Sequence, residues 1–227
     1  MKNYSIKDVA EKYIGQTEIK DNAGFNNADF QKKMQVVGWR PSYQWCALFA
    51  ELVWFEAFQG NKSFLKIIEK NFSPSAVKTF GNFAKLGMVS KTPVVGSVVV
   101  WQSFRKGVAQ WHGHAGIVTK VEKDMFESVE GNTSDNGSRE GTMVATRRRT
   151  YATSVYSGLA VLGFINPKEK EEVLPFKTKK EGDKFRQWVN DNYEEYARKI
   201  ELDASGSFKN KYILKAYKLL SREYDKS

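Results

Sequence analysis

Ala115-Gly116-Ile117-Val118-Thr119-Lys120-Val121, the turn Glu122-Lys123-Asp124 and Met125-Phe126-Glu127-Ser128-Val129 read as a β-hairpin. Both runs are β-branched or alternating, and charged turn residues separate them. His114 lies directly upstream of this hairpin and Glu130-Gly131-Asn132 directly downstream. In an antiparallel pair the start of one strand faces the end of the next, so register alone sets Glu130 and Asn132 opposite His114. Working outward, Val94 to Trp101, Met143 to Tyr151 and Leu159 to Ile165 have the same texture and extend the pair into an antiparallel meander.

The residues ahead of the meander have helical spacing. Ser5 and Asp8 start a short amphipathic helix over residues 5 to 14, carried by Val9, Ala10, Tyr13 and Ile14. Thr17 to Asn27 is polar and rich in Gly and Asn; residues 28 to 37 are helical again. Cys46 to about Phe58 is apolar on most sides, which predicts a buried helix. A helix over 62 to 70 follows, and another over 74 to 86, opened by Ser73-Pro74 and stopped by Gly87. Helices first and an antiparallel sheet second is an α+β arrangement.

Residues 1–167 form one unit on this reading, and Lys168 to Lys177 a charged linker. Residues 178–227 read as a helical hairpin. Thr178-Lys179-Lys180-Glu181 is a capping box, followed by the stripe Phe185, Trp188, Val189, Tyr193, Tyr196, Ala197 and Ile200. After the turn Asp203 to Ser207, a second stripe comprises Tyr212, Ile213, Ala216, Tyr217, Leu219 and Leu220. Such a hairpin buries little by itself, so it either docks on the first unit or binds something.

The 227 residues carry 36 Lys and Arg against 26 Asp and Glu, a formal net charge of +10. That charge attracts polyanions such as an anionic cell wall. Apart from Arg147-Arg148-Arg149, which reads as a solvated strand edge, the basic residues are scattered and form no patch with aromatic spacing, so no specific nucleic-acid partner is expected. One cysteine makes no intrachain disulfide, and no run long enough to span a membrane occurs. Met1 to Asp8 lacks the apolar core of a secretory signal, so cytoplasmic synthesis is expected, with a monomer as the working form.

Cys46 is that single cysteine, and it opens the buried helix. A helix N-terminus presents unpaired N–H groups and partial positive charge, which favour the thiolate. A cysteine nucleophile also needs an imidazole to exchange its proton and a polar group to orient that imidazole. His114 and Glu130, converging through the hairpin, supply both. Two other readings stand beside this one. Free cysteines are often inert and buried, and His112 with His114 could join Cys46 at zinc, although spacing signals no fourth ligand. No metal or cofactor is predicted.

A helix-borne Cys, a strand beginning at His and then Glu-x-Asn at the end of the next strand resemble the cysteine, histidine-dependent amidohydrolase/peptidase (CHAP) family, papain-like enzymes that cut peptidoglycan. The resemblance rests on Gln44 to Phe49, on Pro93 to Trp101, and on Gly113 to Val118 with Glu130-Gly131-Asn132. Ser97 departs from it, since the family commonly has Asp there; the position is read as turn-stabilising. The resemblance implies Cys46 as nucleophile, His114 as general base and then acid, and Glu130 as orienting group. Asn132 would assist the imidazole or the polar network of the site. The Cys46 N–H and Gln44 would bind the oxyanion, with Trp45 and His112 around the cleft. Some members bind calcium through an acidic loop ahead of the Cys, but Met34 to Tyr43 holds no acidic residue. A peptidoglycan hydrolase of the phage endolysin type, released through membrane lesions, is the expected function. An injected antibacterial toxin and a non-catalytic wall-binding or virion protein are the alternatives, and the bond cut, amidase or endopeptidase, is left open. The C-terminal hairpin resembles small helical wall-binding units of phage lytic enzymes through Phe185 to Asn190 and Leu202 to Gly206.

Overall fold

Ser5 opens α1 (Ile6–Glu11) with a reciprocal capping box: its hydroxyl accepts from the Asp8 N–H while the Asp8 carboxylate accepts from the Ser5 N–H. The computed structural model describes residues 5–134, 141–151, 157–167 and 179–193, with Leu220 and Tyr224. The chain divides into two units, Met1–Pro167 and Lys168–Ser227.

In the first unit, short strands β1 (Glu18–Ile19) and β2 (Gly24–Phe25) pair with each other and precede α2 (Ala28–Val36), which Asn27 caps. The central helix α3 (Cys46–Ala57) is buried along its first nine residues. Its outer end is held by Glu56, which binds Lys12 and accepts from Tyr13 at 2.7 Å and from Lys33 at 3.0 Å. One carboxylate thus ties the end of α1 and the middle of α2 to α3. Trp54 forms the hub of an aromatic cluster with Phe58, Phe64, Phe72 and Phe83, which carries α4 (Lys62–Asn71) and α5 (Ala76–Ala84).

The expected helix over 74 to 86 starts later, because Ser75 and not Ser73 caps it, accepting from the Lys78 N–H. Ser73 instead exchanges hydrogen bonds with Thr79 and holds the approach to the helix.

The main sheet comprises β3 (Val89–Ser90), β4 (Val98–Arg105), β5 (Val108–Val121), β6 (Met125–Thr133), β7 (Met143–Thr150) and β8 (Ser157–Ile165), in the spatial order β3-β8-β4-β5-β6-β7. Strands β4 to β7 are the expected meander. β8 departs from it by returning to pair with β4. The run from Val94 does not become strand until Val98, since Pro93 to Ser97 is a turn in which Gly96 has φ 93° and the Ser97 hydroxyl accepts from the Val94 N–H. Ser97 also donates to Asn166 at 2.7 Å, so the serine that departs from the family pattern does stabilise the turn. β5 begins before the expected Ala115 start, already at Val108, because Lys106-Gly107, both at positive φ, makes a tight hairpin turn.

Side-chain alternation sorts the sheet. Val98, Val100, Ala115, Ile117 and Val129 join the core formed with the helices, whereas Val99, Trp101, Val118, Phe126 and Phe164 form a second cluster. The two faces of this sheet are therefore both partly buried, which explains why its strands read as near-continuous apolar runs.

In the second unit α6 (Lys179–Asn192) carries buried Phe185 and Val189. Trp188 packs with Phe185, Tyr193 and Tyr224, so the aromatic stripe has partners inside its own unit. Thr178 of the expected capping box, the linker from 168, the stripe beyond Tyr193, the Asp203 to Ser207 turn and the second stripe up to Leu219 lie outside the described residues.

Gly131 passes directly under the start of α3: a Cβ there would sit 2.6 Å from the Trp45 ring and 2.7 Å from Phe49 Cβ. Gly131→Ala is expected to lower unfolding stability by about 1–3 kcal/mol through overpacking. The shift of the urea midpoint at unchanged slope measures it.

Candidate active site

Glu130 is wholly buried near the end of β6, and four donor atoms converge on its carboxylate. His114 Nε2 lies 2.9 Å from Oε2 and the Ser128 hydroxyl donates to Oε1 at 2.7 Å. Arg149 completes the set with a fork: Nε donates to Oε1 at 2.9 Å and Nη2 to Oε2 at 2.5 Å. The bend of the side chain toward His114 needs space on the neighbouring strand. Gly116 provides it, since a Cβ there would lie 2.6 Å from Glu130 Cγ.

These contacts fix the charge state. Burial alone would raise the Glu130 pKa, but the hydrogen bonds and charges of His114 and Arg149 outweigh it and bring it down to about 2. For His114, burial works against the imidazolium. The Cys46 charge and hydrogen bond, followed by Glu130, overcome this and raise its pKa to about 9. Cys46 shows the complementary pattern. Burial pushes the thiol up, and the His114 cation with the Ala115 and Ala47 N–H groups more than reverses that, so its pKa is lowered. Because Nε2 is engaged by Glu130, the buried Nδ1, which lacks an ordinary hydrogen-bond partner, is left for the thiol. A thiolate–imidazolium pair is the state these environments favour.

Asn132 takes a different place from its neighbour. It adopts φ 55°, its Oδ1 accepts from the Trp45 N–H at 3.1 Å, and its Nδ2 donates to the Gly141 carbonyl at 2.5 Å. Of the two expected roles it has the one in the polar network, since its bonds go to the peptide beside Cys46 and not to the imidazole. Gln44 is exposed and lines a cleft of about 250 Å³ with Cys46, Pro74, Ser75, Ala76, Trp111, His112 and Gly113. His112 is also at the cleft. Trp45 is not: it is fully buried, bonded through Nε1 to Glu18 and packed edge-on against Phe25 and Phe49, because the apolar indole gains more from the core than from the wet cleft.

Two partners of Glu130 escaped the sequence reading. Arg149 belongs to the triplet read as a solvated edge, and for Arg148, exposed and paired with Glu122, that holds. Arg149, in phase with Ala145 and Arg147, instead turns inward and lies over the Trp101 ring at 5.4 Å, which in turn lies 5.6 Å from the His114 ring. The alternation within Arg147-Arg148-Arg149 was the available signal, because a strand cannot expose three successive side chains on one face. Ser128 carried the same signal, two residues before Glu130 on β6. No group of three or more His, Cys, Asp or Glu residues suited to a metal occurs among the described residues.

Arg149→Met is expected to destabilise the fold by about 2–3 kcal/mol, since it strips charged hydrogen bonds from a buried carboxylate. Arg149→Lys should recover only part, lacking the fork. Chemical denaturation of the three proteins checks this. The Glu130–His114 pair also makes stability depend on pH in a definite direction. The lowered carboxylate contributes stability above about 4.5 that disappears as pH falls through about 2. The raised imidazole contributes stability below about 6.5 that disappears as pH rises through about 9. Unfolding midpoints of wild type and Glu130→Gln across pH should therefore diverge most between these limits.

Residues 38–132 match the family model described as CHAP domain, and this span holds Cys46, His114, Glu130 and Asn132. No curated protein and no solved structure matches the chain.

Proposed function

We propose that the protein is a thiol-dependent amidohydrolase or peptidase of the CHAP type acting on peptidoglycan, with a papain-like arrangement of Cys46, His114 and Glu130. The observation that carries this reading is the buried chain Cys46–His114–Glu130, in which thiol and imidazole pKa values are displaced toward the ion pair. The match to the CHAP domain over the same residues supplies the substrate class.

In the reaction, the Cys46 thiolate attacks the carbonyl carbon of an amide. The oxyanion that forms is held by the N–H of Cys46, which as the first residue of α3 has no intrahelical acceptor, and by the Gln44 side chain at the cleft. Collapse breaks the C–N bond, and His114 Nδ1–H gives its proton to the departing amine. The thioester is then attacked by water, whose proton His114 takes, and the acid leaves with regeneration of the thiolate. Glu130 remains ionised throughout. It holds the ring through Nε2 and favours the imidazolium.

The biological setting that fits this chemistry is a phage endolysin reaching the wall through membrane lesions. The net charge of +10 supports attraction to an anionic wall, and no described helix is long and apolar enough to cross a membrane. The cleft walls, rather than the catalytic groups, decide between amidase and endopeptidase action.

Purified wild-type protein is expected to clear a suspension of permeabilised bacteria and release new amino groups from isolated peptidoglycan. Cys46→Ala should abolish release, and Glu130→Gln should slow it by about 10²- to 10⁴-fold with substrate affinity little changed. Equal release by wild type and Cys46→Ala would overturn the assignment. Mass spectrometry of the products identifies the bond. The rate should fall as pH rises through about 9, where His114 loses the proton needed by the leaving amine.

A further inference from the structure

The hairpin β4–β5 is irregular at one point, and that point adjoins the cleft. Gln102 pairs with Gly113 and Phe104 with Ala109, so the single residue Ser103 on β4 faces three on β5: Gln110, Trp111 and His112. The Gln102 amide closes the bulge by donating to the Gln110 carbonyl at 2.9 Å. Bulges of this kind re-aim side chains and are common beside active sites. Here the residue re-aimed is Trp111, whose indole is 82% exposed while forming one wall of the cleft that contains Cys46.

A singly exposed apolar residue needs no explanation by itself. Trp111 differs because its exposure is built. The strand that carries it is pinned immediately afterwards, at Gly113, where a Cβ would overlap the Trp101 carbonyl oxygen and meet Val77 Cγ2 at 3.1 Å. β5 therefore runs tight against α5, and the start of α5 and the residues before it, Pro74 to Ala76, form the facing wall. The indole stands at right angles to the His112 ring, 5.2 Å between centroids and 87° between planes.

The described residues lining the cleft include no carboxylate and no lysine or arginine. Recognition there rests on shape, on a few neutral polar groups and on aromatic surface. We infer that Trp111 is a specificity-determining substrate contact, a shelf on which a neutral, C–H-rich face of the substrate lies beside the scissile amide. In peptidoglycan that face is either a sugar ring or an alkyl-bearing residue of the stem peptide. The inference rests on the proposed peptidoglycan hydrolysis and deepens it. Indole surface of this kind dominates binding because it removes a large apolar area from water with little loss of side-chain freedom.

Steady-state hydrolysis of a soluble muropeptide and of the matching sugar-free stem peptide by wild type, Trp111→Ala and Trp111→Tyr tests this. Trp111→Ala should raise KM about tenfold with kcat within about twofold, and Trp111→Tyr should recover most of the loss. A rise confined to the muropeptide assigns the shelf to a sugar ring; a rise with both substrates assigns it to the stem. Unchanged KM with both substrates overturns the inference, as does a fall in kcat accompanied by a changed rate of Cys46 alkylation by iodoacetamide, which would mean that the bulge only supports the site. Calorimetric binding of the same muropeptide to Cys46→Ala, with and without Trp111→Ala, reads the contact without turnover. Absence of hydrolysis by wild type thus tells against the proposed function, and equal affinities in calorimetry tell against the shelf.

Discussion

A carboxylate with no solvent exposure is the constraint around which the candidate site is arranged. Left unpaired, the Glu130 charge would cost several kcal/mol in such an interior, or the group would simply take up a proton. Its oxygens are instead met by His114, Ser128 and the Arg149 fork, so it stays ionised. The contribution of Arg149 is distinct from that of His114. A carboxylate facing an imidazole alone could share its proton; the guanidinium, which never deprotonates, ensures that the proton resides on the ring. Through the ring the effect reaches Cys46, where a positive imidazolium favours the thiolate despite burial.

The positions that surround this charge are dictated by it. Gly116 is small so that the Glu130 stem can cross β5, and Trp101 borders both partners of the carboxylate, with Arg149 over its ring and the His114 ring 5.6 Å away. Trp101 and His114 are direct cross-strand partners, so the same ladder that builds the sheet sets the imidazole in its layer. The closeness of His114 and Glu130 is in this sense a by-product of correct strand register. A slip of one residue would send His114 to the opposite face.

That dependence on register explains which parts were legible beforehand. The hairpin turn Glu122-Lys123-Asp124 lies between two runs of clear β texture, so the closeness of His114 and Glu130 could be read from the chain. The capping box at Ser5 was equally plain, being a local pattern of four residues. What escaped depends on geometry with no local signature. Val108 to His112 lacks a strict apolar–polar alternation, and its membership in β5 is decided by the Lys106-Gly107 turn and by pairing with β4. The bulge that exposes Trp111 arises from a mismatch in count between two strands, which neither strand shows alone. Trp45, next to Cys46 in sequence, turned out to face the core, because adjacent residues at a helix start diverge by about a hundred degrees.

β6 also explains how Cys46 and His114 keep their spacing. Glu130 orients the imidazole, and Asn132, two residues on, bonds the Trp45 N–H at the entrance to α3. Between them Gly131 lets the strand lie against Trp45 and Phe49 without a Cβ in the way. The helix that carries Cys46 and the strand that carries His114 are therefore both referenced to one short segment, Glu130-Gly131-Asn132. The φ of 55° at Asn132 is the local cost of this, and it falls within the break in register between Glu130 and Thr133 on β6. The cleft walls take no part in these contacts: Trp111 stands on the bulge of β5, and Pro74 to Ala76 lead into α5. The fold thus ties Cys46, His114 and Glu130 together through β6, while Trp111 and Pro74 to Ala76 reach the cleft from other elements.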